Sequence, residues 1–263
     1  MTAPLKYDTN LAMGLGLIDE TKVLLSEWSP SMSATDLYTV ILESGALPQV
    51  SAYRLRNIVV RAFGNRYLID DGNPAQALKR LIAAGLASAE LEQLFFLFTA
   101  RANAILADFV GQVYWPAYQS AASFLTKTMA EEFIWRAIDD GKTPSRWADG
   151  QVARLGRYLT GACTDFGLLG PPSSAGRPLR AFSVEPNVLT FLAYELHFRG
   201  VGDNALLSHE DWSLFGLDRQ DVLDALKRNS LRGHFIIQAA GDVVRIDWKH
   251  RGMEELCDVL AES

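Results

Sequence analysis

The chain has 263 residues, 49% of them hydrophobic, and carries a formal net charge of −6 at pH 7. That length and apolar share suit one large domain or two to three small ones and exclude a chain that is disordered throughout. The acidic balance excludes a protein that coats nucleic acid indiscriminately, because such binding scales with the number of phosphates neutralised.

The first ten residues, MTAPLKYDTN, lack a basic region followed by an apolar run, so no secretory signal is expected and the cytoplasm is the default location. Cys163 and Cys257 are too few and too far apart for a zinc motif and read as free thiols. Residues 109–126 carry no charge but include Gln112, Pro116, Gln119, Ser120 and Ser123, and residues 91–110 are interrupted by Glu92, Arg101 and Asp108. A membrane span needs roughly 20 predominantly apolar residues. Both stretches therefore read as buried helices, with no membrane involved.

In chain order, residues 19–28 read as a helix, Ser29-Pro30-Ser31 as a break, and residues 33–44 as a second helix opened by a Ser or Thr cap. Residues 45–50 make a turn, and Ser51 caps a third helix, SAYRLRNIVVRAFGNRY. At about 100° per residue, Arg54, Asn57, Arg61 and Asn65 fall on one stripe opposite Leu55, Ile58, Val59, Ala62 and Phe63. Arg56 and Arg66 add to the charge, so residues 51–80 hold six basic side chains against two acidic ones, whereas residues 1–50 hold two against six. Arg and Asn can each bond bidentately to base edges, and Arg also pairs with phosphate. Two short helices, a turn and a basic third helix form the outline of a helix-turn-helix unit. The alternative is a solvated face whose arginines pair with acids of the preceding helix.

Residues 74–169 read as wholly helical, with helices over 74–84, 88–113 (bent or ended at Trp115-Pro116), 120–139 and 147–166. LFFLF at 94–98 reads as core or, alternatively, as a docking surface. Residues 170–180, rich in Pro, Gly and Ser, read as a linker, and 181–184 as a short strand. Helices follow over 186–198, 208–215 and 218–231, the last bringing Lys227, Arg228 and Arg232 towards its C-terminal end. Residues 234–238 and 243–248 flank a Gly-containing turn at 239–242 and read as a hairpin, with a last helix at 252–260. Helix, helix, hairpin is the order of a winged helix. Lys227, Arg228, Arg232, Arg245, Lys249 and Arg251, against Asp242 and Asp247, make a second basic island, or else an ordinary sheet edge protected by charge. The expected fold class is mainly α, with helix-turn-helix or winged-helix-like units and a small C-terminal β-hairpin. It divides into 11–73, a helical middle at 74–170, and 181–263.

Catalytic patterns are weak. Gly141-Lys142-Thr143 ends like a phosphate-binding loop, but the required first glycine is Arg136 and a helix precedes it. Gly14 and Gly16 begin a dinucleotide fingerprint that fails at Asp19. His197, His209, His234 and His250 have no metal spacing. The adjacent pairs Glu131-Glu132 and Asp139-Asp140 diverge on a helix, and Asp70-Asp71-Gly72-Asn73 reads as a turn. No enzyme, cofactor or metal is expected.

The run SAYRLRNIVVRAFGNRYL, together with ILADFVGQVYW at 105–115, RLGRYLTGACTDFGLL at 154–169 and SLFGLDRQDVLDALKR at 213–228, resembles the BrxA proteins of BREX bacteriophage-exclusion systems. These are patterns of apolar, Arg and Gly residues, extending over about residues 17–249. The resemblance implies a mainly helical accessory protein of a prokaryotic phage-defence operon, with winged-helix-like parts and DNA binding. The positions matching its arginine-rich helix are Arg54, Arg56, Arg61 and Arg66. The partners expected are double-stranded DNA and other BREX proteins, including a methyltransferase. The competing expectation is a scaffold that docks those proteins without touching DNA, and RNA binding ranks third because aromatic residues interleaved with basic ones are not evident.

Overall fold

A computed structural model describes residues 6–8, 11, 16–241 and 243–261. The expectation of a mainly helical protein holds, and the chain groups into two compact units, 1–75 with 95–182, and 76–94 with 183–263.

In the first unit, α1 (Ile18–Glu27) and α2 (Ala34–Ser44) precede a continuous helix over residues 52–67, α3. Ser33 starts α2 through a reciprocal capping box with Asp36, and Gly45, at φ 65, ends it in the left-handed conformation open to glycine. Ser51 accepts from the Arg54 N–H and starts α3. The middle of α3, Asn57–Phe63, is wound as a π-helix. Its inner side buries Leu55, Ile58, Val59, Ala62, Phe63 and Tyr67. The Tyr67 ring packs against Phe63, Phe95 and Phe98, an aromatic cluster at the centre of the unit. LFFLF at 94–98 is therefore core, every member being almost completely buried.

The middle helices depart from their expected bounds at three places. The expected helix 88–113 is two, α5 (Ser88–Arg101) and α6 (Ala104–Gln119), with α4 (Asn73–Ala83) before them. Asn103 makes the break: it is 6% exposed and non-helical, and its amide donates to the Thr99 carbonyl at 2.7 Å, in place of a backbone donor. Pro116 neither bends nor ends α6. A π turn at Val110–Tyr114 precedes it and accommodates the missing N–H. The expected helix 120–139 begins only at α7 (Lys127–Asp139), because Phe124–Leu125 is a strand, β1, and Thr126 caps the helix. Strand β2 (Arg177–Pro178), inside the expected linker, pairs with it antiparallel. Gly176 permits this: it has φ +125, and a Cβ there would stand 2.7 Å from the Leu125 carbonyl oxygen. Helix α8 (Asp149–Asp165) completes the unit. Residues 181–184 form no strand and join no ladder, contrary to the expectation. Their backbone is served instead by Tyr118, which accepts from the Phe182 N–H, and by Gln93, which donates to the Ser183 carbonyl.

The second unit takes the end of α4, the start of α5, and then α9 (Pro186–Phe198), α10 (Asp203–Leu206), α11 (Asp211–Leu214) and α12 (Arg219–Asn229). The expected helix at 208–215 is thus shorter than the spacing suggested. A hairpin of β3 (Phe235–Ala240) and β4 (Val243–Trp248) follows, then α13 (Met253–Leu260). Ala239 and Ala240, expected in the turn, extend β3, and Asp242 lies outside the described residues. The base of the hairpin closes on Tyr194 of α9, whose hydroxyl donates to the His234 carbonyl and accepts from the N–H groups of Lys249 and His250. Among the described residues no single helix is long and apolar enough to cross a membrane.

Candidate nucleic-acid interface

Local chemistry sets the outer face of α3. Arg54, Arg56, Arg61 and Asn65 are exposed and Asn57 is half-buried, so the stripe expected from periodicity faces solvent. Among the described residues no carboxylate lies within 4.0 Å of Arg54, Arg56 or Arg61. Asp36, on α2, is occupied by Ser33, whose hydroxyl and backbone N–H hold its carboxylate below the usual range. Arg54 and Arg61 thus face water on one stripe and Arg56 faces water about 160° round the helix from Arg54, and the charge of the stripe is relieved only by counterions or by an anionic partner.

Arg66 departs from this pattern. It is 2% exposed, points into the unit and donates to the Gly16 carbonyl at 3.4 Å, and burial pulls its pKa down. It was expected as a DNA contact with Arg54, Arg56 and Arg61, and its burial corrects that; the signal against the expectation was its place in the helical projection, about 120° from Arg54 and in the middle of the apolar arc. Tyr53 was missed by sequence reasoning. It is 80% exposed beside Arg54, and the signal was its position outside the apolar arc, where a large aromatic ring gains nothing from the core.

In the second unit Lys227, Arg228, Arg232, Arg245 and Lys249 are all exposed. Lys227 and Arg228 occupy the last turn of α12, whereas Asp218 caps its first turn and Asp221 sits within it, the arrangement the helix dipole favours. The positive end of this unit is accordingly the C-terminal end of α12 with Arg232. Arg245 is partly neutralised by Asp247 at 3.3 Å. At the hairpin base His234 Nδ1 lies 3.2 Å from His250 Nε2, and His250 Nδ1 lies 3.5 Å from Glu255. Burial, with His250 next in weight, holds His234 below its ordinary pKa.

The remaining chemistry is structural. Tyr7, Asp108 and Lys142 form a hydrogen-bonded trio that ties Tyr7 to the first unit. Cys163 and Cys257 are buried, and burial pushes both thiols up to about 12, which leaves them protonated and inert. A cleft of about 300 Å³ between α6 and α7 is lined by Gln112, Val113, Pro116, Met129, Glu132 and Arg136, among others, and brings together none of the expected site residues.

A crystal structure of an uncharacterized protein from Magnetospirillum magneticum shares this fold, with a TM-score of 0.56 and 16% identity over 73% of this chain and 95% of that one. No curated protein sequence matches the chain. The BrxA family model matches residues 5–195. That match spans well over half of the sequence, and the chain belongs to the BrxA family, the BREX-associated family that its motifs resemble.

Proposed function

We propose that the protein acts by binding rather than by catalysis, as a cytoplasmic DNA-binding accessory of a BREX phage-exclusion system. Other BREX proteins are its protein partners on this reading. The observation that carries the DNA reading is the exposed, carboxylate-free pair Arg54 and Arg61 on one stripe of the third helix, with Arg56 exposed on another side of it. In a chain of net charge −6 such a stripe concentrates attraction for phosphate on one side of the helix. Asn57 and Asn65 flank it with side chains suited to adenine edges. The second unit has the element order of a winged helix, and Arg232, Arg245 and Lys249 supply its charge. The acids at the start of α12 make this surface secondary to α3, since Asp218 and Asp221 would repel phosphate there.

Titration of duplex DNA at several salt concentrations tests the reading. Replacing Arg54 and Arg61 together by Ala should weaken binding and lower the slope of log affinity against log salt by about 1.8, at roughly 0.9 per phosphate contact. If Arg61 instead reads a guanine edge, its loss costs about 1–3 kcal/mol on the preferred site with little change in slope. Unchanged affinity and slope in a folded double variant would remove α3 from the interface and leave the scaffold reading.

A further inference from the structure

Tyr53 stands in the first turn of α3 with its side chain 80% exposed. That side chain makes no hydrogen bond or ring contact with the described residues, and neither does the side-chain amide of Asn57. The Asn57 N–H bonds to the Tyr53 carbonyl, so the two residues are one α-turn apart, and the π winding begins only at Asn57. Side chains at that spacing are neighbours, about 5–6 Å apart at Cβ. In projection Tyr53 lies about 100° from Arg54, with Asn57 between them. Scattered apolar side chains are ordinary on a protein surface. This ring differs in its company, a guanidinium and an amide that the described residues also leave without partners, on a helix whose outer stripe is positively charged.

The N-terminal residues of a recognition helix are the ones that reach base edges. In the major groove those edges carry hydrogen-bond donors and acceptors with one exception, the C5-methyl group of thymine. An aromatic ring brought there has that one apolar group to cover. We propose that Tyr53 is a specificity-determining residue of the DNA interface, and that its ring packs on the C5-methyl of a thymine in the major groove. The inference rests on the DNA reading of α3. Contacts to phosphate position a protein on any duplex, whereas contacts to base edges select the sequence. Arg54 and Arg61 accordingly supply the general attraction and Tyr53 the preference for thymine.

Titration of an alternating A·T duplex, and of the same duplex with deoxyuridine in place of thymidine, tests the assignment, because the two differ only in the methyl group. The unaltered chain should bind the thymine duplex about fourfold more tightly, the worth of one buried methyl group. Tyr53→Ala should bind the two duplexes equally, and Tyr53→Phe, which keeps the ring, should keep the ratio. The side chain lies outside the core, so circular dichroism should show both variants folded. Replacing Arg54 and Arg61 together by Ala should weaken binding to both duplexes. A chain that binds neither duplex would overturn the DNA reading and this assignment with it. Binding that is lost with the two arginines yet does not distinguish thymine from uracil leaves the DNA reading standing and overturns the role of Tyr53. A ratio that survives Tyr53→Ala overturns it as well and leaves the ring to a protein partner. A ratio lost in Tyr53→Phe does the same, since it would put the hydroxyl at the contact in place of the ring.

Discussion

Arg61 and Arg66 are five positions apart on one helix, and the side each faces gives them opposite work. Arg61 stands in water, so its replacement by Ala should change stability by no more than about 0.5 kcal/mol. Arg66 fills the interior of the first unit and holds the Gly16 carbonyl. Its replacement by Ala leaves a cavity and an unserved acceptor and should lower stability by about 2–5 kcal/mol. Urea unfolding of the two variants checks this, and equal losses would contradict the assignment. Arg61 was expected on the polar stripe and stands there, whereas Arg66 was expected as a DNA contact although periodicity sets it among the apolar residues. What periodicity does not report is whether acids approach the arginines. That depends on α1 and α2 as packed neighbours, not on the order of residues in α3.

Elements with local causes were the readable ones. The capping box at Ser33, the cap at Ser51 and the Pro186 start of α9 are settled within a few residues, and those helices fall where the sequence placed them. The pairing of β1 with β2 is settled by a contact between distant segments, and no local pattern announces it, whereas the break at Asn103 has a local cause, its amide on the Thr99 carbonyl, that helical periodicity does not report. The hairpin was legible as strands, but its supports were not. Asp203 accepts from the Ile246 N–H, and Asp203→Ala should lower the stability of the second unit by about 1–3 kcal/mol through an unserved donor. The hairpin base also predicts a pH response. Because His234 has its folded pKa below the ordinary value of 6.5, the unfolded chain takes up the proton first. Stability is therefore fully present above about pH 6.5 and declines as pH falls through the lower folded value. Glu255, Arg232 and Lys249 surround the pair of histidines, and the Glu255 carboxylate, held low by the Arg251 N–H, contributes only at more acidic pH. Urea midpoints between neutral and mildly acidic pH should show the decline, and His234→Gln should flatten it.

At the scale of the whole molecule, compact units follow contacts and not sequence order. Residues 76–94 cluster with the C-terminal segment. Gln93 holds both the Ser183 carbonyl and the Glu185 N–H, while Arg80 pairs with Asp258 at 2.8 Å and Glu254 at 3.3 Å. A fragment of residues 183–263 alone should consequently lack stable tertiary structure despite containing the helices and the hairpin. Addition of a peptide spanning 76–94 should restore order, visible as dispersed amide resonances. A well-dispersed spectrum from the fragment alone would show that those contacts are dispensable. Sequence reading placed the two segments in separate regions because the helical pattern runs unbroken from one region into the next.

Asp203 and Asn204 do for one margin of the hairpin what a further strand would do: they take up the outward N–H groups of Ile246 and Val244 and so close the β4 side to a foreign strand. Replacing both by Ala would bare that margin, and light scattering that climbs with concentration and time would report association through it.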